Sequence, residues 1–280
     1  EAIIPALYWV SYPSQAELVG GKSVIVQTGD DLTMTPDQLK EAITPRSKLL
    51  VRNSPSNPSG VVYSREELLA LAEVVAETDI VVLSDEIYEH LIYDGGTHVS
   101  WASLAPGLID KTITANGVAK SYSMTGWRIG YAAGPLEIIK AMSKVQSQQT
   151  SNATSIAQWA TVAALDGPQN EVAEMKAAFA ERRDYIVGRL NAIDGVKCAM
   201  PGGAFYVFPD VSSHYGKSAD GSAISDSVGL CNYLLEKHLV ATVPGSGFGT
   251  DNYLRISYAC SMEQIDQGVD RVAEGLAALS

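Results

Sequence analysis

The sequence predicts an α/β fold: a large domain with a mostly parallel sheet between helices, followed by a smaller α+β unit. In the first half of the chain, short apolar runs alternate with helix-type segments, as in doubly wound sheets. One of these runs, residues 80–84, is apolar almost throughout, which is expected for a parallel strand covered on both faces. Beyond residue 172 the order of strands and helices changes. The sequence therefore predicts a large domain over 1–172 and a C-terminal small domain over 173–280.

The elements of the predicted large domain follow one another in short segments. Residues 3–12, which end at Pro13, are interpreted as strand and loop. Capping boxes at residues 35–38 and 64–67 each open a helix. The remaining predicted strands are residues 24–27, 49–51, 80–84, 112–115 and 130–133, and the remaining helices are residues 135–146 and 151–165.

A long amphipathic helix over 171–193 is predicted to connect the two domains. After it we expect strands at 204–208, 240–243 and 253–258. Helices are predicted over 225–237 and from the capping residue Ser261 onwards. The segment 245–249 is rich in glycine but lacks the spacing of a dinucleotide-binding loop, so it is interpreted as a flexible turn.

Composition restricts the function classes. The chain has 280 residues, is 46% hydrophobic and carries a formal net charge of −12, which argues against a nucleic-acid or anionic-membrane partner. Its three cysteines are odd in number and far apart, which favours a reducing, cytoplasmic location. No run is long enough for a membrane span. The chain opens on Glu1 in a stretch that reads like the inside of a domain, so we expect an N-terminal part to be missing.

Three polar clusters follow three of the predicted strands. They are residues 53–57, 85–88 and 116–120. In doubly wound sheets, ligands bind beyond the carboxyl ends of the strands. We therefore expect these clusters to converge on one edge of the sheet.

Lys120 and Arg128 are a candidate pair for binding a cofactor. A nucleophilic lysine needs a neutral amine, and the planar fork of an arginine suits phosphate. A lysine that bonds an aldehyde and an arginine that holds a phosphate are what pyridoxal phosphate requires. The other interpretation is two solvated surface charges, as most lysines and arginines are.

The other candidates also admit two interpretations each. Asp85 is either a helix N-cap for residues 86–91 or a carboxylate that pairs with a pyridinium nitrogen. Tyr88 either packs in the core or donates to a ring hydroxyl. Asn57 is either an ordinary turn residue or a residue that binds a ligand. Trp9 either packs in the core or provides a flat surface on which an aromatic ring stacks. Arg255 is a solvated strand residue or a bidentate clamp for a carboxylate.

The sequence gives less support to other kinds of catalytic site. The four histidines show no metal-ligand spacing with the cysteines, so no metal site is predicted. There is neither a nucleophile-elbow serine motif nor a phosphate-loop lysine motif.

Several ordered motifs carry a family resemblance. They are Pro5-Ala-Leu-Tyr-Trp-Val-Ser-Tyr12, Asn53-Ser-Pro-Ser-Asn-Pro-Ser-Gly60, Ser84-Asp-Glu-Ile-Tyr-Glu-His90, Ala119-Lys-Ser-Tyr-Ser-Met-Thr-Gly-Trp-Arg-Ile-Gly-Tyr131, Gly202-Gly-Ala-Phe-Tyr206 and Leu254-Arg-Ile-Ser-Tyr258. Together they resemble class I/II aminotransferases, the fold-type-I pyridoxal phosphate enzymes, and most closely the bacterial aspartate aminotransferases. The resemblance covers nearly the whole chain.

The resemblance implies roles for the cofactor-binding residues. Lys120 would bond the cofactor's aldehyde and shuttle the proton. Asp85 would pair with the pyridine nitrogen, Tyr88 would donate to the ring oxygen, and Arg128 would bind the phosphate. Trp9 would stack on the ring.

It also implies roles on the substrate side. Arg255 would clamp the substrate's α-carboxylate, and Asn57 would contact both that carboxylate and the ring oxygen. The implied reaction is a ping-pong transamination between an amino acid, aspartate or glutamate, and a 2-oxo acid, in a homodimer. Two alternatives stay open: another pyridoxal phosphate reaction such as a β-lyase, and a ligand-sensing domain of a transcription regulator.

Overall fold

A six-stranded sheet forms the first part of the molecule. The computed structural model describes residues 1–29, 31–219 and 221–280. Strands β1 to β5 pair in parallel, in the order β2-β1-β3-β4-β5, and β6 pairs antiparallel to β5 at the edge. The mostly parallel sheet is therefore confirmed. Its strands are β1 Ala2–Pro5, β2 Ser23–Val26, β3 Leu49–Asn53, β4 Val81–Asp85, β5 Thr112–Gly117 and β6 Gly130–Ala133.

Eight α-helices accompany the sheets within the described residues. The predicted capping boxes open two of them, at Thr35 and Ser64, and the predicted capping residue Ser261 opens a third, also with a capping box. None of the described helices has both the length and the hydrophobicity of a membrane span. The helices are α1 Ser11–Leu18, α2 Pro36–Ala42, α3 Arg65–Ala76, α4 Leu136–Gln149, α5 Ser155–Asp166, α6 Asn170–Asn191, α7 Ser227–His238 and α8 Met262–Ala277.

The last part of the chain forms a second, smaller sheet. Its strands run in the antiparallel order β10-β11-β7, beside a separate two-stranded hairpin, β8-β9. The strands are β7 Tyr206–Val207, β8 Ser218–Ala219, β9 Ser222–Ala223, β10 Val243–Pro244 and β11 Leu254–Ser257.

Two main hydrophobic cores correspond to the two sheets. One lies within residues 3–108, around strands β3 and β4 and helix α3. The other lies mainly within residues 179–279, but Tyr88, Leu91 and Tyr93 reach into it from the first part of the chain. We propose that the two domains meet near residue 172, as the sequence predicts. The segment around Tyr88 belongs to the first domain and packs against the second.

Two secondary-structure predictions, for residues 11–13 and 86–91, were wrong. Residues 11–18 form helix α1, although the sequence was interpreted as strand and loop up to Pro13. Proline is tolerated there because the first N–H groups of a helix have no partner inside it. The helix considered for residues 86–91 does not form. Asp85 Oδ1 instead accepts a hydrogen bond from the N–H of Ile87 over 3.2 Å, which closes a turn.

Several predicted boundaries in the second half were also wrong. The strand predicted from residue 204 starts at Tyr206, because Ala204 has a φ of 59° and breaks the extended run. The strand predicted from residue 240 starts at Val243, because the N–H of Val240 bonds back to Leu234 at the end of α7. Helix α5 starts at Ser155 rather than at residue 151. The glycine-rich segment is a packed 3-10 helix, Gly245–Phe248.

Candidate active site

A cavity of about 580 Å³ opens at the carboxyl ends of β3, β4 and β5. Ligand pockets in proteins are roughly 300–1,000 Å³ in volume. The structure brings all three predicted polar clusters to this cavity, and β7 and β11 of the second sheet close its other side. All seven candidate residues from the sequence line it: Trp9, Asn57, Asp85, Tyr88, Lys120, Arg128 and Arg255.

Asp85 is the last residue of β4 and lies beside Asn53 on β3 and Ala115 on β5. The Tyr12 hydroxyl donates a hydrogen bond to its Oδ2 over 2.5 Å. Burial raises the pKa of the Asp85 carboxyl, while the hydrogen bonds from Tyr12 and Ile87 act to lower it. A carboxylate in this position, held by donors in a desolvated pocket, is suited to a cationic partner.

Lys120 lies in the loop after β5, and its side-chain amine makes no hydrogen bond or ion pair with any residue that the structure describes. Its Nζ is 5.5 Å from the ring centre of Phe205 and 5.9 Å from that of Tyr88. Burial lowers the pKa of the Lys120 amine, and the positive charges of Arg255 and Arg128 lower it further. Lys120 therefore yields a neutral, nucleophilic amine more readily than a solvated lysine does.

Tyr88 is buried, with 2% of its surface exposed. Its hydroxyl oxygen is 3.1 Å from that of Tyr206, and the two rings meet edge to face. Burial raises the pKa of the Tyr88 phenol well above its ordinary value, and Tyr206 adds to the effect. Tyr88 therefore stays protonated and can donate a hydrogen bond into the cavity.

A chain of hydrogen bonds joins the loop after β3 to both sides of the cavity. Arg255 Nη1 donates to Asn57 Oδ1 over 2.9 Å. The Asn57 N–H donates to Asn53 Oδ1 over 2.7 Å, and Asn53 Nδ2 donates to the carbonyl of Asp85 over 3.0 Å. Asn53 thus holds the backbone of Asn57 against the end of β4.

Arg255 lies on β11 with its guanidinium between two aromatic rings. Its Cζ is 4.6 Å from the ring centre of Tyr206 and 5.0 Å from that of Phe248. Its Nε is buried and has no hydrogen-bond partner among the described residues. A buried donor without a partner costs free energy, so this arginine is suited to an anionic ligand.

Arg128 and Trp9 occupy the outer part of the cavity. Arg128 is exposed and has a left-handed φ of 56°, and its Nη1 donates to the carbonyl of Thr125 over 3.1 Å. Trp9 is 37% exposed and its ring meets that of Tyr12 edge to face, with 5.4 Å between the ring centres. Both side chains are accessible to a ligand that enters the cavity.

Sequence reasoning missed three residues that support this arrangement. Tyr12, Tyr206 and Phe248 contact the candidate residues described above. Asn53 was predicted as part of the polar cluster 53–57, but its contact with Asp85 was not. Tyr12 and Tyr206 each end a motif that carries the family resemblance, and that position was the one available signal. Phe248 had no signal, because the segment around it was interpreted as a flexible turn.

One group of possible metal ligands lies beside the site within the described residues. It comprises Glu86, Glu89 and His98. Glu86 Oε2 is 2.8 Å from His98 Nε2, and its Oε1 accepts hydrogen bonds from Ser84 and from the backbone of Trp101. Protein groups therefore contact both oxygens of Glu86.

Comparisons with known proteins agree with this fold. The family described as aminotransferase class I and II matches residues 1–272. The chain is 49% identical to the aspartate/prephenate aminotransferase of Cereibacter sphaeroides, over all of this chain and 71% of that protein. It is 48% identical to the aspartate aminotransferase of Bacillus subtilis, over 97% of this chain and 69% of that protein.

A solved structure is similar as well. The crystal structure of the aspartate aminotransferase from Rhizobium meliloti superposes with a TM-score of 0.95 at 46% identity, over all of this chain and 71% of that one. The chain belongs to the class I and II aminotransferase family. Within that family, the relatives named here are aspartate aminotransferases or aspartate/prephenate aminotransferases. They do not favour a β-lyase or a transcription regulator.

Proposed function

We propose that this chain is a pyridoxal phosphate-dependent aminotransferase that moves an amino group from aspartate or glutamate to a 2-oxo acid in a ping-pong reaction. The observation that carries the proposal is the position of Lys120. Its amine has no partner among the described residues, has a lowered pKa, and shares one cavity with Asp85, Tyr88 and Arg255. The names of the relatives support aspartate as a substrate.

The residues of the cavity fit this cofactor. Lys120 offers an amine for its aldehyde, and Asp85 offers a carboxylate for its ring nitrogen. The protonated phenol of Tyr88 suits its ring oxygen, and the exposed Arg128 suits its phosphate. Trp9 would stack on the ring. When bound, pyridoxal phosphate supplies an aromatic ring that accepts electrons from the substrate.

The protein's own part in the reaction is to place and move protons. Lys120, once displaced by the substrate's amino group, would take the proton from the substrate's Cα as a general base. Because burial and two nearby cations lower its pKa below the ordinary lysine value, the amine reaches the neutral form that this role requires more readily than a solvated lysine does. Asp85, in its ionised form, would hold a proton on the ring nitrogen. Holding the amine beside Cα removes much of the entropic cost of the proton transfer.

Arg255 would bind the α-carboxylate of the substrate. Its partnerless Nε and the hydrogen bond from its Nη1 to Asn57 support this role. Asn57 would contact the carboxylate and the ring oxygen together.

We further propose a homodimer. None of the residues of α4 is buried, and α5 exposes Ile156, Trp159 and Val162. Ile156, Trp159 and Val162 are spaced three residues apart along α5, and exposed apolar side chains on one face of a helix are a candidate interaction face. Analytical ultracentrifugation would test it: a single species of monomer mass would contradict the dimer.

A single half-reaction tests the function. The cofactor-loaded protein is mixed with aspartate in the absence of any 2-oxo acid, and the products are measured. Transamination releases about one equivalent of oxaloacetate per site and no ammonia, because the amino group stays on the cofactor. Continuous release of ammonia would instead indicate a lyase, and no product at all would contradict an enzyme that acts on aspartate.

A further inference from the structure

Two aromatic rings, from Tyr206 and Phe248, flank the guanidinium of Arg255. We propose that both are positioning residues, which fix the plane of that guanidinium so that its free N–H groups meet a carboxylate in the cavity. The inference rests on the proposed function, in which Arg255 binds the substrate's carboxylate. It adds two residues whose proposed role is exerted through Arg255.

The first ring is placed by the register of the small sheet. Tyr206 on β7 lies directly opposite Ser257 on β11. Arg255 is two residues before Ser257 and therefore projects from the same face of the sheet, as a diagonal neighbour of Tyr206. The Tyr206 ring is buried, and its centre is 4.6 Å from the Cζ of Arg255.

The second ring is placed by the glycine-rich segment. Phe248 ends the 3-10 helix, is fully buried, and has its ring centre 5.0 Å from the Cζ of Arg255. A Cβ on Gly245 would lie 2.4 Å from the carbonyl oxygens of Thr250 and Tyr253, so only glycine permits this close turn. Gly245 therefore permits the turn that brings Phe248 against Arg255.

A hydrogen bond also holds the guanidinium itself. The Tyr206 hydroxyl lies within hydrogen-bond distance of Tyr88, but the proposed role depends on the buried ring of Tyr206 and not on this contact. Arg255 Nη1 is held by Asn57, whereas Nε and Nη2 make no hydrogen bond with the described residues. The N–H groups of a guanidinium are coplanar by its own chemistry, so bidentate binding of a carboxylate depends on how that plane is oriented in the cavity. Contact with the two aromatic rings restricts that orientation before any ligand is present.

The competing explanation is ordinary core packing, since both rings belong to hydrophobic clusters. Substitutions separate the two explanations. Tyr206→Leu and Phe248→Leu remove an aromatic face, whereas Tyr206→Phe keeps the face and removes only the hydroxyl. Phe179→Leu is the matched control, because it removes a buried ring that does not lie over Arg255. Tyr206→Met serves as a second non-aromatic variant if the Leu variant does not fold.

The experiment measures the dissociation constant of succinate, an unreactive dicarboxylate, by calorimetry on the cofactor-loaded protein, together with KM and kcat for aspartate. Loss of a desolvated cation–π contact is expected to weaken succinate binding about tenfold in each non-aromatic variant. KM for aspartate should rise by a similar factor with kcat nearly unchanged. Tyr206→Phe and Phe179→Leu should stay within about twofold of the unsubstituted protein for succinate.

The outcomes distinguish this inference from the function on which it rests. Succinate binding within twofold of normal in Tyr206→Leu, Tyr206→Met and Phe248→Leu would overturn the positioning role alone. Equal weakening in Phe179→Leu would show a general packing effect and would overturn it too. Failure of the unsubstituted protein to bind succinate or to transaminate aspartate would overturn the proposed function, and this inference with it.

Discussion

The Tyr12 hydroxyl donates a hydrogen bond to Asp85 Oδ2 over 2.5 Å, across 73 residues of sequence. The contact joins the start of α1 to the end of β4 at the floor of the cavity. Burial favours the neutral form of Asp85, and the hydrogen bond from Tyr12 favours the charged form. The charge state of the carboxylate therefore depends on a residue from another part of the chain.

Removing that hydroxyl should shift the pH dependence of activity. In Tyr12→Phe, Asp85 keeps its burial but loses the donor that lowers its pKa, so its pKa rises. The acidic limb of kcat/KM for aspartate should then move to higher pH, while the basic limb stays in place. Tyr8→Phe is the control, because its hydroxyl is not a donor to Asp85. An unchanged acidic limb in Tyr12→Phe would show that the hydrogen bond does not affect the pKa of the Asp85 carboxyl.

Asp85 should also reduce the stability of the cofactor-free protein at neutral pH. Its folded-state pKa is raised above the unfolded value of about 3.9. Such a group stabilises the fold fully only below the unfolded pKa, and that contribution is lost as pH rises through the folded pKa. Asp85→Asn should therefore melt a few degrees higher than the unsubstituted protein at pH 7, and the gain should shrink as the pH falls towards about 4.

Thermal unfolding of the cofactor-free protein across pH provides the measurement. The exposed Asp110→Asn serves as the control and should show no such pH-dependent gain. A lower melting temperature for Asp85→Asn at pH 7 would contradict the account.

Asn57 should matter chiefly for binding the substrate. Asn57→Ala removes the acceptor for Arg255 Nη1 and leaves that charged donor unpaired. A hydrogen bond to a charged group contributes about 1.5–3 kcal/mol, so KM for aspartate should rise at least about tenfold. The exposed Asn152→Ala should leave KM unchanged. A normal KM in Asn57→Ala would mean that Arg255 needs no support from this side chain.

Arg128 should matter for the cofactor rather than for the substrate. Arg128→Gln removes the charge at the outer part of the cavity and should weaken pyridoxal phosphate binding about tenfold, as expected for loss of a charge-assisted hydrogen bond. Fluorescence titration of the cofactor-free protein gives this affinity, with the exposed Arg65→Gln as the control. An unaltered affinity for pyridoxal phosphate would show that Arg128 does not bind the cofactor's phosphate.

The sequence predicted the sheet and the edge where the candidate residues meet, because apolar periodicity and the polar residues after each strand are local signals. Helix α1 was missed because Pro13 was interpreted as a break, whereas the first turn of a helix accepts proline. The contacts of Tyr12, Tyr206 and Phe248 depend on the register between distant elements, and local patterns do not encode that register. Strand β7 is short because Ala204 has a positive φ, and the pattern of side chains gives no indication of that backbone angle.

The central claim is that Lys120 forms the covalent bond to the cofactor, and one measurement tests it most directly. The protein is loaded with pyridoxal phosphate, reduced with borohydride, digested and mapped by mass spectrometry. The account predicts the reduced cofactor on the peptide that contains Lys120, and loss of that label in Lys120→Arg. Label on another lysine, or retention of label in Lys120→Arg, would contradict it.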